Sequence, residues 1–212
     1  MPLSFKHVFE PGQNPSAPPL LLLHATGGTE RDLLSLGHVL SPGSALLAPR
    51  GQVSERGAAR FFARLAEGVF DSEEVARRTH ELADFLAAAA REYHFDPARL
   101  VAVGYSNGAN VAATLLQLRP VVLGAAVLFR PMVVLDVPAA PGSLDGKSVF
   151  IASGTDDPLV PNDHPLRLAA HLRAGGADVT LHSQPADHGL TPADVSAAHG
   201  WFVRNLAPAG TT

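Results

Sequence analysis

Gly104-Tyr105-Ser106-Asn107-Gly108 lies between a short apolar run, residues 100–103, and a stretch with the composition of a helix, residues 109–118. A G-x-S-x-G pentapeptide between a strand and a helix is typical of a sharp turn that projects a serine hydroxyl clear of the sheet. The N–H groups at the start of the following helix then point at negative charge that develops beside the serine. Ser106 is therefore a candidate nucleophile. The alternative is an ordinary strand–helix turn that contains a serine.

Short apolar segments that predict strands recur between helical patterns along the whole chain. The predicted strands are residues 20–23, 45–48, 100–103, 124–129, 148–152 and 178–182, with residues 5–10 as an antiparallel edge strand. Continuous apolar runs are typical of strands that are covered on both faces of a parallel sheet. The alternation predicts one α/β domain over residues 1–212, with a mostly parallel, doubly wound sheet.

Helix signals support the same architecture. Asp71 is a predicted N-cap for a helix over residues 72–93, and a second helix near residues 165–174 ends at a glycine pair. Thr191 is the predicted N-cap of the last helix, since Pro192 follows it in the first turn. Only eighteen residues separate the fourth and fifth predicted strands. This interval leaves no room for a cap domain, so we expect an open site.

Composition excludes several classes of protein. The chain has no cysteine, which rules out a disulfide scaffold, a thiolate zinc site and a cysteine nucleophile. A net charge of -4 without a basic run argues against nucleic acid as a partner. No apolar run is long enough to span a membrane, and no apolar signal segment is visible, so we expect a cytoplasmic protein. No histidine pair has a convincing metal-ligand arrangement, and we expect neither metal nor cofactor.

A serine hydroxyl becomes nucleophilic only when a base removes its proton and a third group orients that base. His188 is the best-placed base among the ten histidines, because it lies in a loop between the last predicted strand and the last helix. The acid should follow a strand between the serine and the histidine. Asp156 and Asp157 both meet that condition, and the alternative is that they only make turn hydrogen bonds.

Acyl transfer also needs two N–H donors for the negative oxygen that forms. The backbone of Asn107, directly after the serine, is one candidate. The backbone of Thr26 is the other, because its loop follows an early strand. The adjacent glycines, Gly27 and Gly28, do not have the G-x-G-x-x-G spacing, which argues against a dinucleotide site.

Apolar side chains after the second main strand could form a substrate wall. Phe61, Phe62, Leu65 and Phe70 are candidates there, and Met132 is a candidate at the end of another strand. The alternative is that these side chains only fill the core. Three arginines nearby (Arg50, Arg56 and Arg60) could bind a substrate carboxylate, although exposed arginines are common.

With these residues in place, the chain resembles the phospholipase/carboxylesterase family of α/β-hydrolases, which includes acyl-protein thioesterases. It is most similar to the small bacterial branch of MhqD-like hydroquinone-resistance carboxylesterases. The resemblance extends from residue 20 to residue 206 and rests on five segments: residues 22–28, residues 50–51 with 60–62 and 67–71, residues 104–110, residues 154–158 and residues 188–191.

The resemblance implies roles for particular residues. The position of the family's acid corresponds to Asp157 rather than Asp156, and its oxyanion donors correspond to the backbones of Thr26 and Asn107. One departure is Ala25, where the family has glycine; alanine tolerates a positive φ poorly, so the loop could differ.

The function implied is a serine carboxylesterase acting on small or medium acyl or aryl esters, or on thioesters. Two alternatives stay open: a hydrolase of quinone- or hydroquinone-derived aromatic compounds, and a non-catalytic small-molecule binder on the same fold. A homodimer is compatible with the sequence, which contains nothing that specifies one.

Overall fold

Four consecutive leucines, Leu20–Leu23, form a strand near the middle of the sheet and show how the chain builds two cores. In the computed structural model, which describes residues 3–206, all four side chains are buried. Alternate leucines belong to opposite apolar clusters, because side chains alternate between the two faces of a strand. A run without polar residues therefore fits a sheet that is covered on both faces.

The described residues form a seven-stranded main sheet and a separate two-stranded hairpin. In chain order the strands are β1 (His7–Glu10), β2 (Leu20–Leu23), β3 (Leu46–Pro49), β4 (Val53–Glu55), β5 (Ala58–Arg60), β6 (Val101–Tyr105), β7 (Ala125–Phe129), β8 (Ser148–Gly154) and β9 (Asp178–Gln184). The order in the main sheet is β1-β3-β2-β6-β7-β8-β9, and every pairing is parallel except β1 with β3. The carboxyl ends of β6, β7, β8 and β9 therefore lie side by side at one edge.

Helices cover both faces of this sheet. They are α1 (Leu34–Leu40), α2 (Ser72–Glu92), α3 (Asn107–Leu118), α4 (His164–Ala174) and α5 (Pro192–Leu206). The second, third and fourth pack into one core, while the first and fifth pack into the other. The predicted doubly wound α/β domain is confirmed for the described residues; residues 1–2 and 207–212 of that prediction lie outside them. None of the described helices is long and apolar enough to cross a bilayer.

The predicted strands are all present, with small differences at their ends. β6, β8 and β9 each run two residues further toward their carboxyl ends than predicted. The N-cap predictions hold, because Asp71 accepts hydrogen bonds from two first-turn N–H groups of α2. Thr191 Oγ1 likewise accepts from the N–H of Asp194 at 3.2 Å.

Two elements were not predicted. The short helix α1 contains Gly37, and because glycine is a poor helix former, the sequence did not predict a helix here. A Cβ at Gly37 would lie 3.1 Å from the side chains of both Leu22 and Leu46, so there is little room for a larger residue. The hairpin of β4 and β5 turns at Arg56 and Gly57, whose φ angles of 50° and 88° are both positive. Such a two-residue turn normally carries Asn or Asp before the glycine, so arginine gave no signal.

Candidate active site

Ser106 occupies the turn between β6 and α3. Its φ of 53° and ψ of -115° lie in a region that residues with side chains avoid. Its N–H donates to the carbonyl oxygen of Phe129 on β7 at 2.9 Å, and its own carbonyl accepts from the N–H of Asn110 at 2.9 Å. The neighbouring strand and the first turn of the helix thus hold the serine in this conformation, beyond the carboxyl end of the sheet.

The two glycines of the pentapeptide are required by close backbone contacts. A Cβ on Gly104 would lie 2.5 Å from the carbonyl oxygen of Gly108. A Cβ on Gly108 would lie 1.9 Å from the carbonyl oxygen of Leu23 at the end of β2. Both distances are well inside van der Waals contact, so a larger residue at either position would displace backbone.

Hydrogen bonds join Ser106, His188 and Asp157 in one chain. His188 Nε2 lies 2.9 Å from Ser106 Oγ, and His188 Nδ1 lies 2.7 Å from Asp157 Oδ2. A carboxylate only accepts, so Nδ1 carries the proton and Nε2 of the neutral ring accepts from the serine hydroxyl. The imidazole is therefore in the tautomer that a base for this hydroxyl requires.

The structure distinguishes between the two neighbouring aspartates. Asp157 is buried, and its Oδ1 accepts from the N–H groups of Leu159 at 2.8 Å and Val160 at 3.2 Å, which leaves Oδ2 for the imidazole. Asp156 is exposed, and its side chain accepts only from Thr155 Oγ1, at 3.4 Å. Asp157 is thus the carboxylate that the fold brings to His188.

Two backbone N–H groups border the serine. Thr26 lies in the loop after β2 and Asn107 is the first residue of α3, and both line the cleft that contains Ser106. Among the hydrogen bonds within residues 3–206, none uses the N–H of Thr26 or of Asn107. Both donors are therefore available to a ligand, and Asn107 adds the partial positive charge of a helix N-terminus.

Ala25 does not disturb this loop. Its φ is not positive; the positive φ, 81°, falls on Gly27 instead. The loop is fixed to the β4–β5 hairpin, because the N–H of Gly27 donates to Ala59 O at 2.8 Å. Arg60 Nη1 also donates to Thr26 Oγ1 at 2.7 Å. Residue 25 therefore needs no positive φ here, and the reason for expecting a strained loop does not apply.

His24 holds the same loop in place through two hydrogen bonds of its ring, a role that its sequence context does not reveal. Its ring is buried; Nε2 accepts from the N–H of Gly51 at 2.9 Å, and Nδ1 donates to the carbonyl oxygen of Ala25 at 2.6 Å. Burial lowers the pKa of His24 below its ordinary value of 6.5. A proton on Nε2 would face the N–H of Gly51, so the neutral ring is the form that fits.

This burial predicts a loss of stability in mild acid. The unfolded chain protonates His24 near pH 6.5 and the folded chain only at lower pH, so stability is complete above about 6.5 and falls below it. One proton contributes at most about 1.4 kcal/mol per pH unit. Urea unfolding at pH 7.5 and 5.5 should show a smaller decrease for His24→Gln, which keeps an acceptor for Gly51. Equal decreases in the two proteins would contradict the assignment.

The cleft beside Ser106 has a volume of about 460 Å³. Thr26, Asn107 and His188 lie around the serine, and the apolar side chains of the wall are Phe70, Met132 and Leu159. Charged groups from Arg60, Arg64 and Glu67 border it on the side of the β4–β5 hairpin. The cleft thus combines an apolar wall with a small number of polar groups near the serine.

Three of the five predicted wall residues do not line the cleft. Phe61 and Phe62 are 4% and 0% exposed and belong to the core, because the N–H of Phe61 is bonded to Asn107 Oδ1 at 2.8 Å and draws the segment inward. Leu65 is 73% exposed and does not line the cleft. Of the predicted wall residues, Phe70 and Met132 line the cleft.

Two of the three arginines proposed for carboxylate recognition, Arg50 and Arg60, have partners within the protein, and the third, Arg56, is exposed in the turn between β4 and β5. Arg50 Nε donates to Glu30 at 2.5 Å, and Arg60 donates to Thr26 and to the carbonyl oxygen of Phe62.

Asp187, next to His188, directs its carboxylate to the N–H of Gly189 at 2.8 Å rather than to the imidazole. Within residues 3–206 no group of three or more His, Asp or Glu side chains could hold a metal ion.

Known proteins share this fold and much of this sequence. A bacterial protein named as a hydrolase, MhqD of Bacillus subtilis (strain 168), is 44% identical over 197 residues, which cover 93% of this chain and 97% of that protein. The Bacillus cereus carboxylesterase superposes with a TM-score of 0.93 at 45% identity, covering 96% of each chain. A carboxylesterase from Mesorhizobium loti gives a TM-score of 0.88 at 28% identity, covering 95% of this chain and 96% of its own.

These matches confirm the resemblance to small bacterial carboxylesterases that the motifs indicated. The sequence model of the dienelactone hydrolase family matches residues 7–199, which include every residue of the site described above. The chain therefore belongs to the dienelactone hydrolase family and is a hydrolase of the carboxylesterase type.

Proposed function

We propose that this protein is a serine carboxylesterase in which Ser106 is the nucleophile, His188 the general base and Asp157 the group that orients His188. The observation that carries the proposal is the unbroken chain of hydrogen bonds, 2.9 Å and 2.7 Å long, between a strained serine and a buried carboxylate. Such an arrangement activates a hydroxyl that is otherwise a weak nucleophile.

The first half of the reaction forms an acyl-enzyme. Ser106 Oγ attacks the carbonyl carbon of the ester while its proton moves to His188 Nε2. The carbonyl oxygen becomes negative and accepts hydrogen bonds from the N–H groups of Thr26 and Asn107. When the tetrahedral intermediate collapses, the bond to the leaving alcohol breaks, and His188 gives that alcohol its proton. The buried Asp157 carboxylate stabilises the imidazolium between these two transfers.

The second half hydrolyses the acyl-enzyme. A water molecule takes the place of the alcohol and loses its proton to His188 Nε2 as it attacks the acyl carbon. Collapse of the second intermediate breaks the bond to Ser106 Oγ, which recovers its proton from His188. The products are a carboxylic acid and an alcohol, and the enzyme returns to its starting state.

The cleft supports esters of small or medium size. Its volume of about 460 Å³ and its apolar wall of Phe70, Met132 and Leu159 suit an acyl chain of modest length or an aryl group. Thioesters present the same carbonyl to the same groups and belong to the proposed range. The cytoplasmic location, the absence of a cofactor and the homodimer stay predictions.

The two alternatives differ in what they require. The binder hypothesis needs no contact between Ser106 and His188, so the 2.9 Å distance favours turnover. Hydrolysis of quinone- or hydroquinone-derived aromatic compounds would use the same groups and is distinguished by the specificity constant: a kcat/KM for such a compound well above that for simple acyl esters would support it.

A fluorophosphonate probe with peptide mapping tests the proposal directly. We expect labelling of the wild type on Ser106 only, because the probe reacts with a serine whose proton a base removes. We expect His188→Ala to label at least about 100-fold more slowly, since general base catalysis contributes about 10²–10⁴-fold. His199→Ala, which removes an exposed histidine on α5, should label like the wild type. A folded wild type that does not label would favour the binder.

A further inference from the structure

We infer that Arg130 is a positioning residue that holds the backbone on both sides of His188 and so places its imidazole between Ser106 and Asp157. This inference rests on the proposed function. Arg130 directly follows β7, the strand between the one that ends at the serine turn and the one that leads to the acid loop. Its φ of 54° is positive, and its side chain is fully buried.

The guanidinium donates hydrogen bonds to two carbonyl oxygens of the loop that carries His188. Arg130 Nε donates to the carbonyl oxygen of Asp187 at 3.0 Å, and Nη2 donates to that of Gly189 at 2.9 Å. These carbonyls flank His188 directly. Because the planar guanidinium has its donors in fixed directions, it sets the separation and orientation of the two peptide groups.

Tyr105 binds a third carbonyl of the same loop. Its hydroxyl donates to the carbonyl oxygen of His188 itself at 2.9 Å. Three consecutive carbonyl groups of one exposed loop therefore accept hydrogen bonds from two side chains. Tyr105 is the last residue of β6, and Arg130 directly follows β7. With its backbone fixed in this way, His188 keeps only its side-chain torsions, and the bonds to Ser106 and Asp157 then select one orientation.

Arg130 is itself anchored by a buried carboxylate. Its Nη1 and Nη2 donate to Asp194 Oδ1 and Oδ2 at 3.0 Å and 2.7 Å, and neither side chain is exposed. Asp194 lies in the first turn of α5, and its Oδ2 also accepts from the N–H of Thr191, the N-cap of that helix. The ion pair thus joins the last helix, the histidine loop and the end of β7.

A buried ion pair is weak evidence for a role in stability, because burying both charges offsets most of their attraction. What distinguishes this pair is that two further N–H groups of Arg130 donate to the loop that carries His188. A lysine could keep the charge beside Asp194, but its single nitrogen could not bind the carboxylate and both carbonyls in the same geometry. Arg130→Lys therefore keeps the ion pair with Asp194 while removing the hydrogen bonds that position the His188 loop.

The experiment measures hydrolysis of p-nitrophenyl acetate by the full chain. For Arg130→Lys we expect kcat to fall about 10- to 100-fold with KM changed by less than about threefold, because a displacement near 1 Å costs rate rather than binding. The low-field proton resonance of the His188–Asp157 hydrogen bond should weaken or disappear. Tyr105→Phe should lower kcat less, and the two changes should not add, because both act on one loop.

Thr79→Val is the matched control. It removes a buried 2.7 Å hydrogen bond between Thr79 and Thr114, which join α2 to α3 away from the loop. We expect it to lower the unfolding temperature while kcat and the resonance stay as in the wild type. An arginine that served stability alone would behave like this control. If Arg130→Lys does not fold, the neutral pair Arg130→Met with Asp194→Asn takes its place.

The possible results distinguish a failure of this inference from a failure of the proposed function. A folded Arg130 variant with kcat within about twofold of the wild type and an intact resonance overturns the inference. So does failure of both variants to fold, which would make Arg130 a structural residue. A wild type that hydrolyses no ester contradicts the proposed function instead, while the resonance still reports whether Arg130 places His188.

Discussion

Ser106→Ala is expected to lower kcat for p-nitrophenyl acetate by at least about 10³-fold, with KM nearly unchanged. The loss is large because the variant has no atom that can form the acyl-enzyme, and His188 and Asp157 then have no hydroxyl to activate. Some activity above the uncatalysed rate should persist, since the N–H groups of Thr26 and Asn107 still stabilise negative charge in water-mediated attack. Steady-state kinetics on the purified variant, with active-site titration of the wild type, measures the effect.

The control is Ser196→Ala, which removes an exposed serine on α5. It should match the wild type in kcat and in unfolding temperature. Ser106→Ala should also unfold near the wild-type temperature, because within residues 3–206 the hydroxyl makes a single hydrogen bond, to His188 across the cleft. Near-wild-type hydrolysis by Ser106→Ala would show that another group attacks the ester, and the assignment of the nucleophile would be wrong.

The features that were predictable from sequence are those set by local chain chemistry. The serine turn carries its own signature, because Gly104 and Gly108 are required by backbone contacts that only a glycine permits. The cap of α5 is also local, since Thr191 and Asp194 bind one another three residues apart. His188 and Asp157 could be placed because strand order puts successive loops at one edge of a parallel sheet.

The features that could not be predicted depend on residues far apart in the chain. Arg130 meets its partners 57 to 64 residues later, and nothing beside it in the sequence marks it as buried. Phe61 and Phe62 were candidates for a substrate wall because they are apolar and follow a strand, and core packing was the alternative. Their inward position follows from a bond between the backbone of Phe61 and Asn107, 46 residues away, which sequence spacing cannot show.

Gly108→Ala is expected to destabilise the protein by about 3 kcal/mol or more, although alanine favours a helix over glycine by about 1 kcal/mol. The added methyl group would lie 1.9 Å from the carbonyl oxygen of Leu23 and 2.7 Å from that of His24. Both are backbone atoms at the end of β2, so neither can move aside as a flexible side chain would. Either α3 or the strand must shift, and overpacking of a dense core is costly.

Gly200→Ala provides the matched comparison, because Gly200 is also a helical glycine, in α5. Among residues 3–206, a Cβ there would meet only the end of the flexible Arg204 side chain at 3.3 Å, so we expect stability to rise by up to about 1 kcal/mol. Opposite signs for the two glycines in urea unfolding would show that contact with Leu23 outweighs helix propensity. Because Leu23 leads directly into the loop of Thr26, any folded Gly108→Ala should also lose esterase activity. Equal stabilisation of both variants would mean that α3 lies farther from β2 than these contacts require.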